Sequence, residues 1–256
     1  MHHILSPNER AGTAEGLCAL TIMTKAPRPG QVKTRLTPLL TAEEAAALNK
    51  CFLRDTAAAI AAVEQGARGI GCYTPVGAEE VYEELFPATF QLIAQRGANL
   101  DERLILATQD LLAVGFSSVC LIGSDSPTVP STTFAEAVTV LSTPDDGIVI
   151  GPSHDGGYYL IGLNAVHRRL FEEIDWSTGR VLEQTMARAA EIELPVHLLP
   201  PAYDVDDCET LRLLCHDLLG TCDEREEIVA PATSKFLRDF VTREGRERIW
   251  PEKVEA

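Results

Sequence analysis

Short apolar runs alternate with stretches of helical spacing along most of the chain, and no other feature of the sequence restricts the fold as much. Leu17-Cys-Ala-Leu-Thr-Ile-Met23 carries no charge and shows no polar face. That is the pattern of a strand covered on both sides, as in a parallel sheet. Similar runs at 67–73, 90–94, 118–123, 147–151, 157–163 and 195–199 predict further strands. Between them helices are expected over 42–65, 78–86, 100–114, 131–142 and 178–190, with another from 207. The first is the best marked: Leu48, Phe52, Leu53, Ala57 and Ile60 recur at helical spacing, and Thr41 with Glu44 makes a capping box. Strands and helices in such alternation pack as an α/β fold, a mostly parallel sheet with helices on both faces. The strands at 147–151 and 157–163 are the exception, since the short glycine-containing link between them predicts antiparallel pairing. There is neither an internal repeat nor a Pro/Gly/Ser-rich linker. The 256 residues are therefore expected to form one domain, with a core over 17–218 and a helical tail over 223–243.

No apolar run approaches the ~18 residues that cross a bilayer. Residues 1–7 lack the basic start and apolar stretch of a secretory signal. Twenty-two Lys and Arg against 38 Asp and Glu leave a net charge of −16. A surface that acidic repels nucleic acid and anionic membranes, whose binding depends on clustered cations. A cytoplasmic protein is expected, with neither a nucleic acid nor a membrane as partner. The seven cysteines are odd in number and read as thiols. Cys208, Cys215 and Cys222 recur every seven residues, but on one helix successive members stand ~10.5 Å apart along the axis. Zinc needs its sulfurs ~2.3 Å from the metal, so these three are read as structural thiols. Cys18, Cys51, Cys72 and Cys120 fall in apolar segments and are expected in the core.

Against that acidic background one segment stands out. Thr24-Lys-Ala-Pro-Arg-Pro-Gly-Gln-Val-Lys-Thr-Arg35 places Lys25, Arg28, Lys33 and Arg35 within eleven residues, with no acid between Glu15 and Glu43. Average composition would put about one cation in such a stretch. The segment follows the first strand, at the edge of an α/β sheet where ligands bind. Cations and a Gly30-containing turn there suit a phosphate or diphosphate, while the bland alternative is a solvated basic turn. Two familiar phosphate motifs do not apply. A P-loop needs Gly before its Lys, and Val32 precedes Lys33; a dinucleotide fingerprint needs three glycines, and only Gly30 is present. Gly66-Ala-Arg-Gly69-Ile-Gly71 has those spacings reversed and is read as a connection.

Carboxylates mark the other strand ends. Asp125, in Leu121-Ile-Gly-Ser-Asp-Ser-Pro127, lies just past a buried strand. A second acidic group, Tyr203-Asp-Val-Asp-Asp207, lies at a later strand-to-helix transition. Extended backbone would point Asp204 and Asp206 the same way, and Asp207 is placed to cap the following helix. A nucleotide phosphate in an acidic pocket calls for Mg2+ or Mn2+ on one or two carboxylates, and Asp125 with Asp206 is the candidate pair. In Gly151-Pro-Ser-His-Asp-Gly-Gly-Tyr-Tyr-Leu160, Gly156 and Gly157 allow close backbone approach to a ligand. Asp155 beside them is a candidate base or metal-linked group, while His154 reads as a polar loop residue. The same motif is also compatible with a plain glycine turn. Trp176-Ser-Thr178 reads equally as a core anchor with a helix cap or as a wall of an acceptor pocket. No Gly-x-Ser-x-Gly elbow or His-Glu-x-x-His helix is present, so serine hydrolase and zincin chemistry have no support.

Taken together, Lys-x-Pro-x-x-Gly-x-x-Lys-Thr-Arg-Leu (25–36), Ile-Gly-Ser-Asp-Ser-Pro (122–127), Gly-Pro-x-x-Asp-Gly-Gly-Tyr-Tyr-Leu-Ile-Gly-Leu (151–163), Trp176-Ser-Thr178 and Asp204-Val-Asp206 resemble one bacterial family. It is the family of GT-A-type nucleotide-diphospho-sugar transferases often labelled arsenosugar-pathway or radical-SAM/selenodomain-associated, related to the molybdenum-cofactor and 2-phospho-lactate guanylyltransferases. The resemblance implies a single Rossmann-like GT-A domain. It implies that Lys25, Lys33 and Arg35 grip phosphates, and that Asp125 and Asp206 hold the metal.

These features lead to a metal-assisted glycosyltransferase with a nucleotide-sugar donor and a small-molecule acceptor. Asp125, Asp155 and Lys33 are its candidate catalytic residues; Lys25, Arg28, Gly30, Lys33, Arg35, Gly156 and Gly157 are its candidate nucleotide-binding residues. The competing reading is a nucleotidyltransferase that joins an NTP to a phosphorylated small molecule with release of pyrophosphate. It needs the same cations and carboxylates, and the single-glycine first loop favours sugar transfer over it. A non-catalytic nucleotide-sugar-binding module is the third reading, and its mark would be a lost acid.

Overall fold

The computed structural model describes residues 1–143, 146–220 and 229–250. Eight strands form one sheet: β1 (His3–Ile4), β2 (Cys18–Lys25), β3 (Ala67–Thr74), β4 (Gln91–Ala94), β5 (Ser118–Ile122), β6 (Ile148–Pro152), β7 (Tyr158–Leu163) and β8 (Val196–Leu198). Their order is β1-β4-β3-β2-β5-β7-β6-β8, and β7 alone runs antiparallel to its neighbours. The predicted antiparallel pairing of β6 and β7 is present, and β7 also inserts between β5 and β6.

The uninterrupted apolar runs follow from burial on both faces. In β5, Cys120 and Ile122 point into one core, Val119 and Leu121 into the other. Helices α1 (Ala42–Ala61) and α3 (Ser131–Leu141) cover the first face. Helices α2 (Leu100–Val114) and α4 (Val181–Glu191) cover the second. The Thr41–Glu44 capping box starts α1 as expected. A third core joins α1 to α5 (Cys208–Leu219) and α6 (Pro231–Glu244) through Phe52, Leu214, Leu237 and Phe240. The expected tail is thus a docked helix beginning at Pro231; the expected segment 223–228 lies outside the described residues.

Three expectations change. The helix expected at 78–86 is one 3-10 turn, Glu79–Tyr82, and Tyr82, Phe86 and Phe90 pack in series over the sheet, the first pair stacked and the second tilted. Gly69 and Gly71 are not a connection but interior residues of β3. A Cβ at either would overlap the ring of Phe90 or Phe86, so glycine here makes room for the aromatics. The two-residue edge strand β1, paired with β4, is too short to show a period and has no signal in the sequence.

Chain order places the site. From β2 the chain builds outward through β3 and β4, then returns to lay β5 on the other side of β2. The crevice beyond the carboxyl ends of β2 and β5 is therefore a topological switch point, where open α/β sheets bind ligands.

Candidate functional site

Three distant segments meet in that crevice. The loop after β2 brings Lys33, the turn after β5 brings Asp125, and the extended segment after β8 brings Asp206. Lys33 Nζ donates to Asp125 Oδ1 at 2.7 Å, to Asp206 Oδ1 at 2.9 Å and to the Val205 carbonyl at 2.7 Å. All three ammonium protons are thus engaged, and the Lys33 side chain is only 5% exposed against 35% and 37% for the two carboxylates. Burial pulls against the charge, but Asp125 and Asp206 outweigh it and hold Lys33 above the ordinary lysine value. Lys33 takes its position through a left-handed backbone, φ 50°.

The acidic segment is built as its alternation predicts. Val205 is fully buried in the third core and donates its N–H to the Asp125 carbonyl at 2.8 Å. That bond ties the two acidic segments together and turns Asp204 and Asp206 toward the crevice. The Ser126 hydroxyl donates to Asp204. Burial pushes the Asp204 carboxyl up to about 6; the Ser126 bond opposes this, and Asp125, Asp155 and Asp206 add to it. Asp207 caps α5 as expected, accepting from the N–H groups of Glu209 and Thr210, which with the Thr210 hydroxyl lowers its carboxyl.

The crevice has two lobes sharing a wall of Arg35, Ser124, Asp125 and Asp206. The smaller, about 250 Å³, is lined by Lys25, Lys33 and Arg35, with the amide of Asn49 from α1. The larger, about 570 Å³, is lined by Asp155, Gly157, Asp204 and Asp206 together with Trp176 and apolar side chains. Arg28 and Gly30 line neither lobe, so the structure does not bring them to the other candidates. Asp155 Oδ1 accepts from the Gly157 N–H at 2.9 Å. Gly156 has φ +87°, and a Cβ there would overlap the Gly179 carbonyl. The Gly156 carbonyl in turn accepts the Leu182 N–H at 2.9 Å, capping α4. The glycine motif therefore holds the turn and the helix start, and its neighbour Asp155 faces the cavity.

Trp176 is half-buried against the second core and faces the crevice. It packs on Tyr158 edge to face at 6.4 Å and also lines the larger lobe. Thr178 donates to the Asp175 carbonyl and does not cap the helix. His154 is exposed and lines neither lobe. Sequence reasoning missed two site residues. Asn49 is a polar side chain, 4% exposed, in the buried stripe of α1, and that misfit was its only signal. Asp204 was legible by alternation with Asp206 but not as a cavity residue.

Asp125 and Asp206 are hard oxygen donors from separate segments that converge on one point, a set that suits Mg2+ or Mn2+ completed by phosphate oxygens. At present the ammonium of Lys33 holds that point. Among the described residues no group of three or more His, Cys, Asp or Glu side chains is arranged to hold a metal.

A crystal structure from Desulfovibrio desulfuricans G20, described as a "putative nucleotide-diphospho-sugar transferase", matches this chain with a TM-score of 0.76 and 30% identity, over 89% of this chain and 97% of that one. The family described as "Uncharacterized protein conserved in bacteria (DUF2064)" matches residues 56–178. The chain belongs to the DUF2064 family. Within the DUF2064 match lie Asp125, Asp155, Gly156 and Gly157, whereas the basic loop and Asp206 lie outside it. CMP:2-keto-3-deoxy-manno-octonic acid synthetase complexed with CTP is similar at a TM-score of 0.52 and 9% identity, over 80% of this chain and 99% of that one. 4-Diphosphocytidyl-2C-methyl-D-erythritol synthase from Anaerococcus prevotii DSM 20548 is similar at 0.50 and 9%, over 82% and 100%. These two show that the DUF2064 chain shares their fold. No curated protein matches it.

Proposed function

We propose that this DUF2064 protein is a nucleotide-dependent transferase that moves a glycosyl group from a nucleotide-diphospho-sugar to a small-molecule acceptor. The supporting observation is the uneven charge of the crevice: Lys25 and Lys33 line only the small lobe, Asp155, Asp204 and Asp207 only the large one, and the two share Arg35, Asp125 and Asp206. The likeness to the Desulfovibrio protein supports the same donor class.

In this reading Lys25, Lys33 and Arg35 receive the diphosphate in the small lobe and the sugar projects past the shared wall. The acceptor hydroxyl attacks C1 from the large lobe. The C1–O bond to the diphosphate breaks with its electron pair passing to the phosphate oxygen, and the acceptor proton passes to a carboxylate, with Asp155 of the large lobe as the candidate. Lys25 and Arg35 stabilise the negative charge that develops on the leaving diphosphate, and Lys33 would join them once its protons are released from Asp125 and Asp206. A Mg2+ or Mn2+ ion on Asp125 and Asp206 would supply further neutralisation of that charge. Positioning and leaving-group stabilisation then make up most of the catalysis, without a covalent intermediate.

The test is turnover on matched panels of nucleotide sugars and NTPs, with thermal stabilisation read in parallel. A nucleotide at ~100 times its Kd adds ~2.7 kcal/mol, which is readily measured. Release of a nucleoside diphosphate from one nucleotide sugar, abolished in a folded Asp125→Ala variant, is expected. Pyrophosphate release from an NTP with a phosphorylated acceptor would replace this reading with nucleotidyl transfer. Silence in both panels would remove it.

A further inference from the structure

The larger lobe has a composition that selects its occupant. At about 570 Å³ it has the size of a small-molecule site. Part of its wall is apolar and buried: Leu104, Leu121 and Ile161, with Trp176 and Tyr158 set edge to face beside them. The polar part carries five carboxylates, Asp125, Asp155, Asp204, Asp206 and Asp207, beside the hydroxyls of Ser124, Ser177, Thr178 and Thr210. Arg35 is the one cation among the lining residues, is 73% exposed, and already lies 3.7 Å from Asp206. Lys33 faces the smaller lobe and spends its protons on Asp125, Asp206 and the Val205 carbonyl.

A phosphate or carboxylate entering this lobe would lose its water and meet five carboxylates against the single cation Arg35, which already faces Asp206, and that is costly. A hydroxyl fits instead, because it donates to a carboxylate without bringing charge. The apolar and aromatic wall fits a non-polar face on the same molecule.

We infer that the large lobe takes an uncharged, hydroxyl-bearing ligand with an apolar face, and excludes phosphorylated and carboxylated ones. That this ligand is the acceptor rests on the proposed donor reading; its chemical class rests on the lobe itself. The inference opposes the nucleotidyl reading, whose acceptor carries a phosphate.

The experiment compares three probes of one shape: phenyl β-D-glucopyranoside, phenyl β-D-glucuronide and phenyl β-D-glucopyranoside 6-phosphate. Binding is followed by tryptophan fluorescence in the full chain, which has two tryptophans, Trp176 and Trp250. Trp176→Phe identifies the reporter. The neutral glucoside is expected to saturate a Trp176-dependent signal, with both anions roughly tenfold or more weaker. An Asp155→Asn, Asp204→Asn double variant should narrow that gap. Equal or tighter binding of either anion, or no saturable Trp176-dependent signal from the neutral glucoside, would overturn the inference. Nucleoside diphosphates tested alone by thermal shift report on the donor lobe. Loss of their binding with the probe order intact would sink the donor reading and leave the ligand class standing.

Discussion

Lys33 is the residue on which the site turns. Its ammonium is the link between two carboxylates that are 81 positions apart in sequence, Asp125 and Asp206. Removing it leaves those carboxylates facing each other. A fully buried pair broken in this way costs about 3–5 kcal/mol; with both acids about a third exposed, Lys33→Met should cost less, about 1–3 kcal/mol by urea unfolding. The same change opens the point that a divalent cation would occupy. Mn2+ bound to Lys33→Met, measured by electron paramagnetic resonance, should be held roughly tenfold or more tightly than by the unaltered chain, and Asp125→Asn should cancel the gain. Unchanged affinity would mean that lysine and metal do not compete for these carboxylates. Gly156 is the other position where one residue decides local structure. Its φ of +87° and the crowding by the Gly179 carbonyl predict that Gly156→Ala destabilises the chain by about 2–4 kcal/mol. A loss within 0.5 kcal/mol would show that the turn relaxes.

At the scale of elements, α6 shows how a segment remote in sequence can be essential to a helix. Its own N-cap residue, Ala230, offers no side-chain acceptor. The first N–H groups are taken instead by Asp55 of α1, at 2.9 Å to Ala232 and 2.8 Å to Thr233. Asp55→Ala should therefore cost about 1–3 kcal/mol and loosen α6, read as faster hydrogen exchange over 231–244. Burial holds the Asp55 carboxyl above its ordinary value, against the pull of those N–H bonds. The folded chain therefore binds this proton more tightly than the unfolded chain. The contribution of Asp55 to stability falls as pH rises from about 4, and Asp55→Asn should flatten that part of the stability profile. A steeper profile in the variant would reverse the assignment. The strands other than β1, by contrast, were legible to within about two residues at each end. A segment buried on both faces must be apolar throughout, and that requirement is local.

For the whole molecule, the three cores bury thiols along with apolar side chains. Cys18, Cys51, Cys72, Cys120 and Cys215 are buried and Cys208 is half-buried, while Cys222 lies outside the described residues. Burial pushes Cys51 up to about 11 and Cys72 and Cys215 up to about 12, so at pH 8 they carry almost no thiolate. Ellman's reagent at that pH should reach no more than two of the seven thiols in the folded chain, and all seven in denaturant. Rapid reaction of three or more would mean that a core opens under native conditions. No helix among the described residues is long and apolar enough to cross a membrane.

By itself the sequence determined the mostly parallel α/β architecture, the cap residues of α1 and α5, and the sheet edge at which the candidate site residues meet. Each depends on a local period or a short spacing, and so is written within a few residues. Only the tertiary structure decided that Lys33 lies between the two acids it was expected to work beside, that Arg28 and Gly30 stay outside the crevice, and that Asn49 and Asp204 enter it. It also decided that β7 runs between β5 and β6, and that α6 starts on a carboxylate from α1. Those outcomes depend on which remote segments share a neighbour, a property of the packed sheet that no stretch of chain carries alone.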